Sequence, residues 1–291
     1  MTAAIRTTTL AANGLSFAID EAGEGDTTAL LLHGFPEARQ SWARQLPFLA
    51  GLGWHVAAPD LRGYGGSSRP TGKAAYHIDR LTDDVAAMFA ALGGRRRILI
   101  GHDWGGVIAW QTALRGKVAL DALISLNAPH PDVFARVLAD GWRQKRKSWY
   151  VAFFQLPWLP EWLMTRELGK PLARMFRQHS ARMSDAQIEI YRRNAIVPGA
   201  ATAMINYYRA NMTALGGGAG SHPKLLVPTL MIWGEDDLAL DIALTKGNEQ
   251  HVADFTLRTL PGVSHWVQQD APDQVNELIA EWARGKALVL S

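Results

Sequence analysis

The chain has 291 residues, 48% of them hydrophobic and 20% charged, a balance typical of soluble globular proteins. This length suits one large α/β domain, or such a domain with an inserted subdomain. The absence of cysteine excludes disulfides, a thiol nucleophile and cysteine-ligated metals. No window approaches 18 apolar residues, and the N-terminus lacks the apolar segment of a secretory signal. We therefore predict a cytoplasmic protein without an integral membrane segment.

The net charge of +3 is unevenly distributed along the chain. Residues 132–220 contain 13 Lys and Arg against 6 Asp and Glu, a balance of +7 that leaves −4 for the remainder. A basic segment can attract anionic ligands, nucleic acids among them. Because no nucleic-acid-binding motif accompanies the charge, we interpret it as the solvated surface of helices and predict no nucleic-acid partner.

Short apolar runs alternate with helix-like patterns along the chain. Residues 10–20 include Asn13-Gly14 and predict an antiparallel hairpin at the edge of a sheet. The later runs mostly do not alternate in polarity, as expected of parallel strands covered on both faces. They are residues 29–32, 56–58, 97–100, 122–126, 229–233 and 255–260. Helical patterns followed by glycine occur at residues 80–92, 107–114 and 272–284. This order predicts a doubly wound, mostly parallel sheet.

The strand pattern stops after Pro131 and resumes at Leu225. The residues between look helical, hold 12 of the 26 aromatic residues, and end in a glycine-rich connector at residues 216–220. We therefore predict an α/β core in two parts, residues 1–131 and 221–291, with a helical cap at residues 132–220. Residues 153–164, which include Trp158 and Trp162, are expected in the cap core or the lining of a substrate pocket, rather than in a membrane anchor.

Residues 101–106, Gly-His-Asp-Trp-Gly-Gly, follow the apolar run at residues 97–100. In α/β-hydrolases the nucleophile stands in a strained turn between a buried strand and a helix. The sequence pattern of this turn is Gly-x-nucleophile-x-Gly, where x is any residue. The central residue here is Asp103 instead of serine or cysteine. This changes the predicted chemistry from acyl transfer to attack by a carboxylate on an electrophilic sp3 carbon.

An ester on Asp103 must be hydrolysed, which requires a general base for water and an acid that supports the base. His265, in the loop after the last predicted strand, is the candidate base because α/β-hydrolases have the order nucleophile, acid, histidine. Three acids follow the preceding strand. We predict that Asp237, rather than Asp236 or Glu235, supports the histidine, because a turn can aim one of them at it.

The hydrolysis step also requires donors for an oxyanion. His33-Gly34-Phe35-Pro36 follows the first parallel strand, at the edge of the sheet where Asp103 is expected. We predict that the backbone N–H groups of Phe35 and Trp104 form the oxyanion hole. The His33 side chain is interpreted as structural.

Together these motifs resemble the epoxide hydrolases of the α/β-hydrolase superfamily. The matching segments are residues 33–37, residues 60–65 with Ser67, and residues 101–106, and the resemblance extends from about residue 30 to the C-terminal helix. It implies an α/β-hydrolase fold with an inserted helical cap. It also implies that a small hydrophobic epoxide and water react to give a vicinal diol through an ester on Asp103, with no cofactor and no metal.

Two cap segments, residues 148–157 and 206–209, resemble the places where epoxide hydrolases carry paired ring-opening tyrosines, which here are Tyr150 and Tyr208. A neutral phenol, with a pKa of about 10, can donate a proton to the alkoxide that ring opening generates. Adjacent helical residues point about 100° apart, so we choose Tyr208 over Tyr207. The predicted substrate-binding side chains are Phe35, Trp104, Tyr150, Phe154, Tyr208 and Trp266.

Two alternative functions are compatible with the fold. A haloalkane or haloacid dehalogenase shares the Asp nucleophile and His base, but such enzymes generally carry Asn or Glu where this chain has Phe35, and the fluoroacetate branch has Arg in place of Trp104. A non-catalytic ligand-binding protein is the second alternative, although an intact set of Asp103, Asp237 and His265 gives no reason for it. The oligomeric state is left open by the sequence.

Overall fold

The computed structural model describes residues 3–180, 182–212 and 222–289. Its strands are β1 (Arg6–Ala12), β2 (Leu15–Ala22), β3 (Thr27–Leu32), β4 (Trp54–Pro59), β5 (Arg96–His102), β6 (Ala122–Leu126), β7 (Thr229–Asp236) and β8 (Phe255–Ser264). They form one eight-stranded sheet in the order β1-β2-β4-β3-β5-β6-β7-β8. Strand β2 is antiparallel to both β1 and β4, and the remaining pairs are parallel. The predicted fold class is confirmed.

The predicted hairpin at the sheet edge is also confirmed. It turns at Asn13 and Gly14, which both have positive φ angles, 49° and 70°. A two-residue turn with both central residues in the left-handed region matches the right-handed twist of the strands, which is why Asn-Gly is favoured there. The turn sets the register in which Ala12 lies opposite Leu15.

Helices pack on both faces of the sheet. Those outside the connection between β6 and β7 are α1 (Gln45–Ala50), α2 (Ile78–Leu92), α3 (Trp104–Leu114), α10 (Val267–Asp270) and α11 (Pro272–Gly285). Strand β3 shows why the central runs lack alternation: all its residues are buried. Leu30 and Leu32 belong to one apolar layer, whereas Ala29 and Leu31 belong to the layer on the opposite face.

The described residues between β6 and β7 form helices and no strand. These are α4 (Pro131–Asp140), α5 (Trp142–Lys147), α6 (Trp149–Phe153), α7 (Leu159–His179, irregular at residues 166–169), α8 (Asp185–Ala195) and α9 (Ala200–Ala210). We call residues 131–212 the helical insertion and the other described residues the sheet domain. In the described parts of the chain, none of the helices combines the length and apolar character needed to cross a bilayer.

The expectation for residues 153–164 holds for Phe154 and Met164, which are buried, but it is wrong for Trp158 and Trp162. Their exposed fractions are 70% and 51%, and neither lines an active-site cavity described below. Helix α7 instead buries Met164, Leu172 and Phe176. The first turn of the helix carries the two tryptophans away from this contact and into solvent.

Candidate active site

Asp103 occupies the sharp turn between β5 and α3, with φ 49° and ψ −118°. Positive φ is strained for a residue with a side chain, so the surrounding structure must hold it. The flanking glycines allow that close packing. A Cβ atom on Gly101 would lie 2.3 Å from the Gly105 carbonyl oxygen, and one on Gly105 would lie 2.1 Å from that of Leu32. The elbow therefore depends on these glycines and presents the Asp103 carboxylate to a cavity.

The two carboxylate oxygens of Asp103 have different surroundings. The Phe35 backbone N–H donates a hydrogen bond of 2.8 Å to Oδ1. The second predicted donor is the backbone N–H of Trp104, the first residue of α3. Among the described residues, this N–H makes no hydrogen bond to the Asp103 carboxylate. Oδ2 lies 3.6 Å from Nε2 of His265. One oxygen is thus held by the backbone, while the other faces the imidazole.

His265 lies between two carboxylates. Its Nδ1 is 2.6 Å from Oδ2 of Asp237, and its Nε2 faces Asp103. The Ala239 and Leu240 N–H groups donate to Oδ1 of Asp237, at 2.7 and 2.8 Å. The structure therefore brings together Asp103, His265 and Asp237, whereas Asp236 and Glu235 are exposed at the end of β7.

Asn127 is a site residue that sequence reasoning missed. Its side-chain amide donates to Oδ2 of Asp237 at 2.7 Å and to the Gly234 carbonyl at 3.1 Å, and it accepts the Gly234 N–H at 2.8 Å. It directly follows β6, the neighbour of β7, and has a φ of 41°. A polar residue that follows a strand adjacent to the one carrying the acid was the available signal.

Helix α5 fastens the helical insertion to the loop that carries Asp237. The Gln144 side chain donates to the Ala239 carbonyl at 3.1 Å and accepts the Asp241 N–H at 2.8 Å. The Lys147 ammonium donates to the Asp237 carbonyl oxygen. The sequence did not single out Gln144, and the interpretation of residues 145–147 as ordinary surface is wrong for Lys147. Nothing local in the sequence of α5 reports its contact with a loop some 90 positions later.

The charges of the site support one another. Burial alone would raise the pKa of Asp103. The hydrogen bond to His265 and the charge of His265 outweigh burial, so the pKa of Asp103 lies below its usual value. The same balance, led by the charge of His265, lowers the pKa of Asp237. Burial alone would lower the pKa of His265, yet the charge of Asp237 and hydrogen bonds to both carboxylates raise it well above 6.5. The two carboxylates therefore favour the protonated form of His265.

Two cavities meet above the Asp103 carboxylate. The inner cavity has a volume of about 70 Å³ and the outer one about 420 Å³. Asp103, Tyr150 and Tyr208 line both. The rings of the two tyrosines are 5.8 Å apart and nearly perpendicular. Burial is the largest cause that raises the pKa of each phenol, and the Asp103 charge adds to it, so both remain protonated donors.

Tyr207 and Tyr208 point to different places, as their helical spacing predicts. The Tyr207 hydroxyl donates a 2.7 Å hydrogen bond to the Arg62 carbonyl inside the protein. Both rings pack against the Trp104 ring, but only Tyr208 of the two lines the cavities. All six predicted substrate-binding side chains line at least one cavity. The His33 ring is buried and accepts the Leu61 N–H at 3.0 Å, which ties two loops together.

Within the described residues, one group could hold a metal ion. His130, Asp132 and His251 offer ligand atoms within 4.8 Å of one another. The two imidazoles, however, stack face to face with 12° between their planes, so their in-plane lone pairs do not converge. The Asp132 carboxylate already accepts the N–H and Nδ1–H groups of His222. The cluster joins the start of the helical insertion to His222, before β7, and to His251, between β7 and β8, and lies outside the Asp103 site.

Comparison with known proteins adds independent information. The profile of the α/β-hydrolase fold family matches residues 29–272. Human epoxide hydrolase 4 is 38% identical over 276 residues, 92% of this chain and 75% of the relative. Epoxide hydrolase 3 of Xenopus tropicalis is 37% identical over 268 residues, 89% of this chain and 72% of the relative. The chain belongs to the epoxide hydrolases of the α/β-hydrolase family.

A solved structure agrees with this membership. The crystal structure of a Bacillus megaterium epoxide hydrolase bound to an inhibitor is 27% identical, with a TM-score of 0.87 over 95% of this chain and all of that one. The predicted family, fold and enzyme class are confirmed by these matches. The roles of the individual residues remain predictions of the sequence and of the site geometry.

Proposed function

We propose that the protein hydrolyses a small hydrophobic epoxide to a vicinal diol through an ester on Asp103. One observation carries the proposal: the side chains shared by the inner and outer cavities are a carboxylate and two protonated phenols. Ring opening requires both groups at one place, because the nucleophile attacks a ring carbon while an acid donates a proton to the ring oxygen. The predominantly apolar lining suits a hydrophobic substrate.

In the first step, Oδ2 of Asp103 attacks a ring carbon, since Oδ1 is engaged by the Phe35 N–H. A carbon–oxygen bond forms to Asp103 as one carbon–oxygen bond of the epoxide breaks. Tyr150 and Tyr208 donate hydrogen bonds to the developing alkoxide, and a proton passes to it from a phenol. An alkoxide is a poor leaving group, which is why this reaction needs acids that release of a halide would not need.

In the second step, His265 takes a proton from water, which attacks the carbonyl carbon of the ester. The Phe35 N–H stabilises the negative charge that develops on Oδ1. Collapse of this intermediate breaks the bond between the carbonyl carbon of Asp103 and the substrate oxygen. The leaving alkoxide takes the proton held by His265, which releases the diol. The proton left on the Asp103 carboxyl group returns to the phenolate formed in the first step, which restores the carboxylate and the phenol. Asp237 holds the imidazole and stabilises its positive charge.

The proposal is tested by stopping the reaction between its steps. His265→Gln should still be alkylated but should not hydrolyse the ester, so intact-protein mass spectrometry should show an adduct with the mass of the added epoxide. Peptide mapping should place it on Asp103. The matched control, Asp103→Ala, should form no adduct and no diol while keeping its fold by circular dichroism. An unmodified His265→Gln protein after long incubation with an epoxide that the wild type turns over would contradict the mechanism.

A further inference from the structure

The helical insertion carries four tryptophans, and all of them are exposed. The exposed fractions are 63% for Trp142, 65% for Trp149, 70% for Trp158 and 51% for Trp162. These residues lie within 21 positions of the sequence, in α5, α6 and the start of α7. Singly scattered apolar residues are ordinary on a protein surface, whereas a concentration of the largest aromatic side chains marks a contact surface.

The first pair lies on one side of α5 and α6. Trp142 and Trp149 are seven residues apart in consecutive helical segments, which is about two turns. Gln144 lies on the other side, where it is buried and contacts the loop that carries Asp237. Lys145 and Trp149 line the same surface groove of about 250 Å³, together with apolar side chains such as Phe134. This face of the two helices is therefore basic and apolar at once.

The second pair repeats the combination. Trp158 and Trp162 are one helical turn apart, and the guanidinium of Arg166 lies 5.2 Å from the Trp162 ring. In the same way, Arg146 lies 5.2 Å from the Trp142 ring. Tryptophans beside cations are characteristic of protein surfaces that sit at the boundary between lipid headgroups and acyl chains. We name Trp142, Trp149, Trp158 and Trp162 with their neighbouring Lys and Arg residues the tryptophan surface.

The positive charge of the insertion indicates what kind of partner the tryptophan surface binds. Residues 132–220 carry a net charge of +7, so two copies of the chain that met through the insertion would repel each other. An anionic surface is attracted instead. Nucleic acid could stack on tryptophan, but no nucleic-acid-binding motif accompanies the charge. A bilayer accommodates both the cations and the tryptophans.

The tryptophan surface also borders the entrance to the site. Trp149 lines the outer cavity, which extends to Asp103 and His265. We propose that the tryptophan surface docks onto an anionic lipid bilayer without spanning it, and that the outer cavity takes up a lipophilic epoxide from the lipid. Docking stands on the tryptophan surface alone. Uptake of the epoxide rests on the proposed function.

Docking is tested with vesicles and without any epoxide. Wild-type protein should co-sediment about tenfold more strongly with vesicles containing about one third phosphatidylglycerol than with pure phosphatidylcholine, because anionic lipid attracts the basic insertion. Tryptophan emission should shift to the blue on binding, since the four exposed indoles enter a less polar environment. Salt of about 0.5 M should weaken the binding by screening the charges. Equal or negligible binding to both kinds of vesicle would overturn the proposal.

Variants separate docking from catalysis. Trp158→Ala combined with Trp162→Ala should lose about tenfold in vesicle partitioning and keep wild-type turnover of a water-soluble epoxide. The matched control, Phe48→Ala with Ile242→Ala, removes exposed apolar side chains of the sheet domain and should bind vesicles like the wild type. Asp103→Ala should also dock normally, so failure of the proposed chemistry and failure of docking give different results.

Three results would show a different use of the tryptophan surface and overturn the proposal. The first is unchanged vesicle binding by the Trp158 and Trp162 double variant. The second is a wild-type dimer, seen by sedimentation velocity, that the same variant loses. The third is tighter binding to a single-stranded oligonucleotide than to anionic vesicles at equal salt.

Reversal of two charges tests the role of the cations. Arg143→Glu with Arg146→Glu should remove the preference for anionic lipid, and a retained preference would equally count against docking.

Discussion

The sheet domain and the helical insertion use the same residue types in opposite ways. The seven tryptophans of the sheet domain are all buried, whereas the four of the insertion are all exposed. The sheet domain offers two apolar layers in which a large ring is covered on all sides. The insertion also buries aromatic side chains, Phe176, Tyr191 and Tyr207 among them, so the contrast concerns tryptophan. Tryptophan is thus a buried residue in one region and an exposed residue in the other.

The chemistry divides along the same boundary. The sheet domain holds the charged groups, Asp103, His265 and Asp237, in positions fixed by the ends of β5, β7 and β8. The insertion contributes the neutral phenols of Tyr150 and Tyr208. In the proposed mechanism the sheet domain performs attack and ester hydrolysis, while the insertion assists ring opening alone. Variants in the two regions should therefore affect different steps.

The largest expected effect tests this division. Replacing both Tyr150 and Tyr208 by Phe should slow alkylation by about 10²–10⁴-fold, because the alkoxide then lacks its acids. Hydrolysis of the preformed ester should be nearly unchanged, since these phenols act before it. Each single variant should lose less, as the other phenol still donates. Adduct formation in the His265→Gln background measures the first step directly.

The control for this prediction is the neighbouring phenol. Tyr207→Phe removes a hydroxyl that bonds to the Arg62 carbonyl, away from the cavities, and should leave alkylation close to wild type. A double Tyr150 and Tyr208 variant that alkylates at full speed would show that the phenols only pack, and halide release from an alkyl halide would then be examined. If Tyr207→Phe slowed alkylation and Tyr208→Phe did not, the ring-opening acid would be Tyr207 instead of Tyr208.

Much of this architecture could be predicted because its signals are local. Asn13-Gly14 identifies the hairpin, and the glycines around Asp103 identify the elbow, since each reports a backbone requirement within a few residues. Asn127 and Gln144 were missed because their roles depend on contacts between distant segments. The exposure of Trp158 was mispredicted for a related reason. Aromatic content suggests burial, but burial depends on whether another element covers the helix, which the sequence of the helix does not report.

A second prediction concerns stability and compares two tryptophans directly. Trp54→Ala should lower the free energy of unfolding by about 3–5 kcal/mol, because it removes a buried indole that packs in the core and donates to the Leu288 carbonyl. Trp158→Ala should change it by no more than about 0.5 kcal/mol, because that ring is largely in solvent. Urea unfolding followed by circular dichroism measures both. Similar losses in the two variants would mean that Trp158 is covered in solution.

The smallest effect, and the sharpest test of the charge arrangement, is the pH dependence of the two steps. The raised pKa of His265 means that the free enzyme favours the imidazolium, while hydrolysis of the ester needs a neutral imidazole. Esterification removes the Asp103 charge, so the pKa of His265 should be lower in the ester than in the free enzyme, although Asp237 still raises it.

Below the pKa that His265 has in the ester, the hydrolysis rate should fall about tenfold per pH unit. Alkylation needs the Asp103 carboxylate, whose pKa is lowered, and the two phenols, which stay protonated in acid, so it should persist under the same acidic conditions. Rapid-quench mass spectrometry should therefore show the ester accumulating in wild-type protein as the pH falls. If alkylation and hydrolysis decline together along one acid limb, the separation between a step that depends on Asp103 and a step that depends on neutral His265 is wrong.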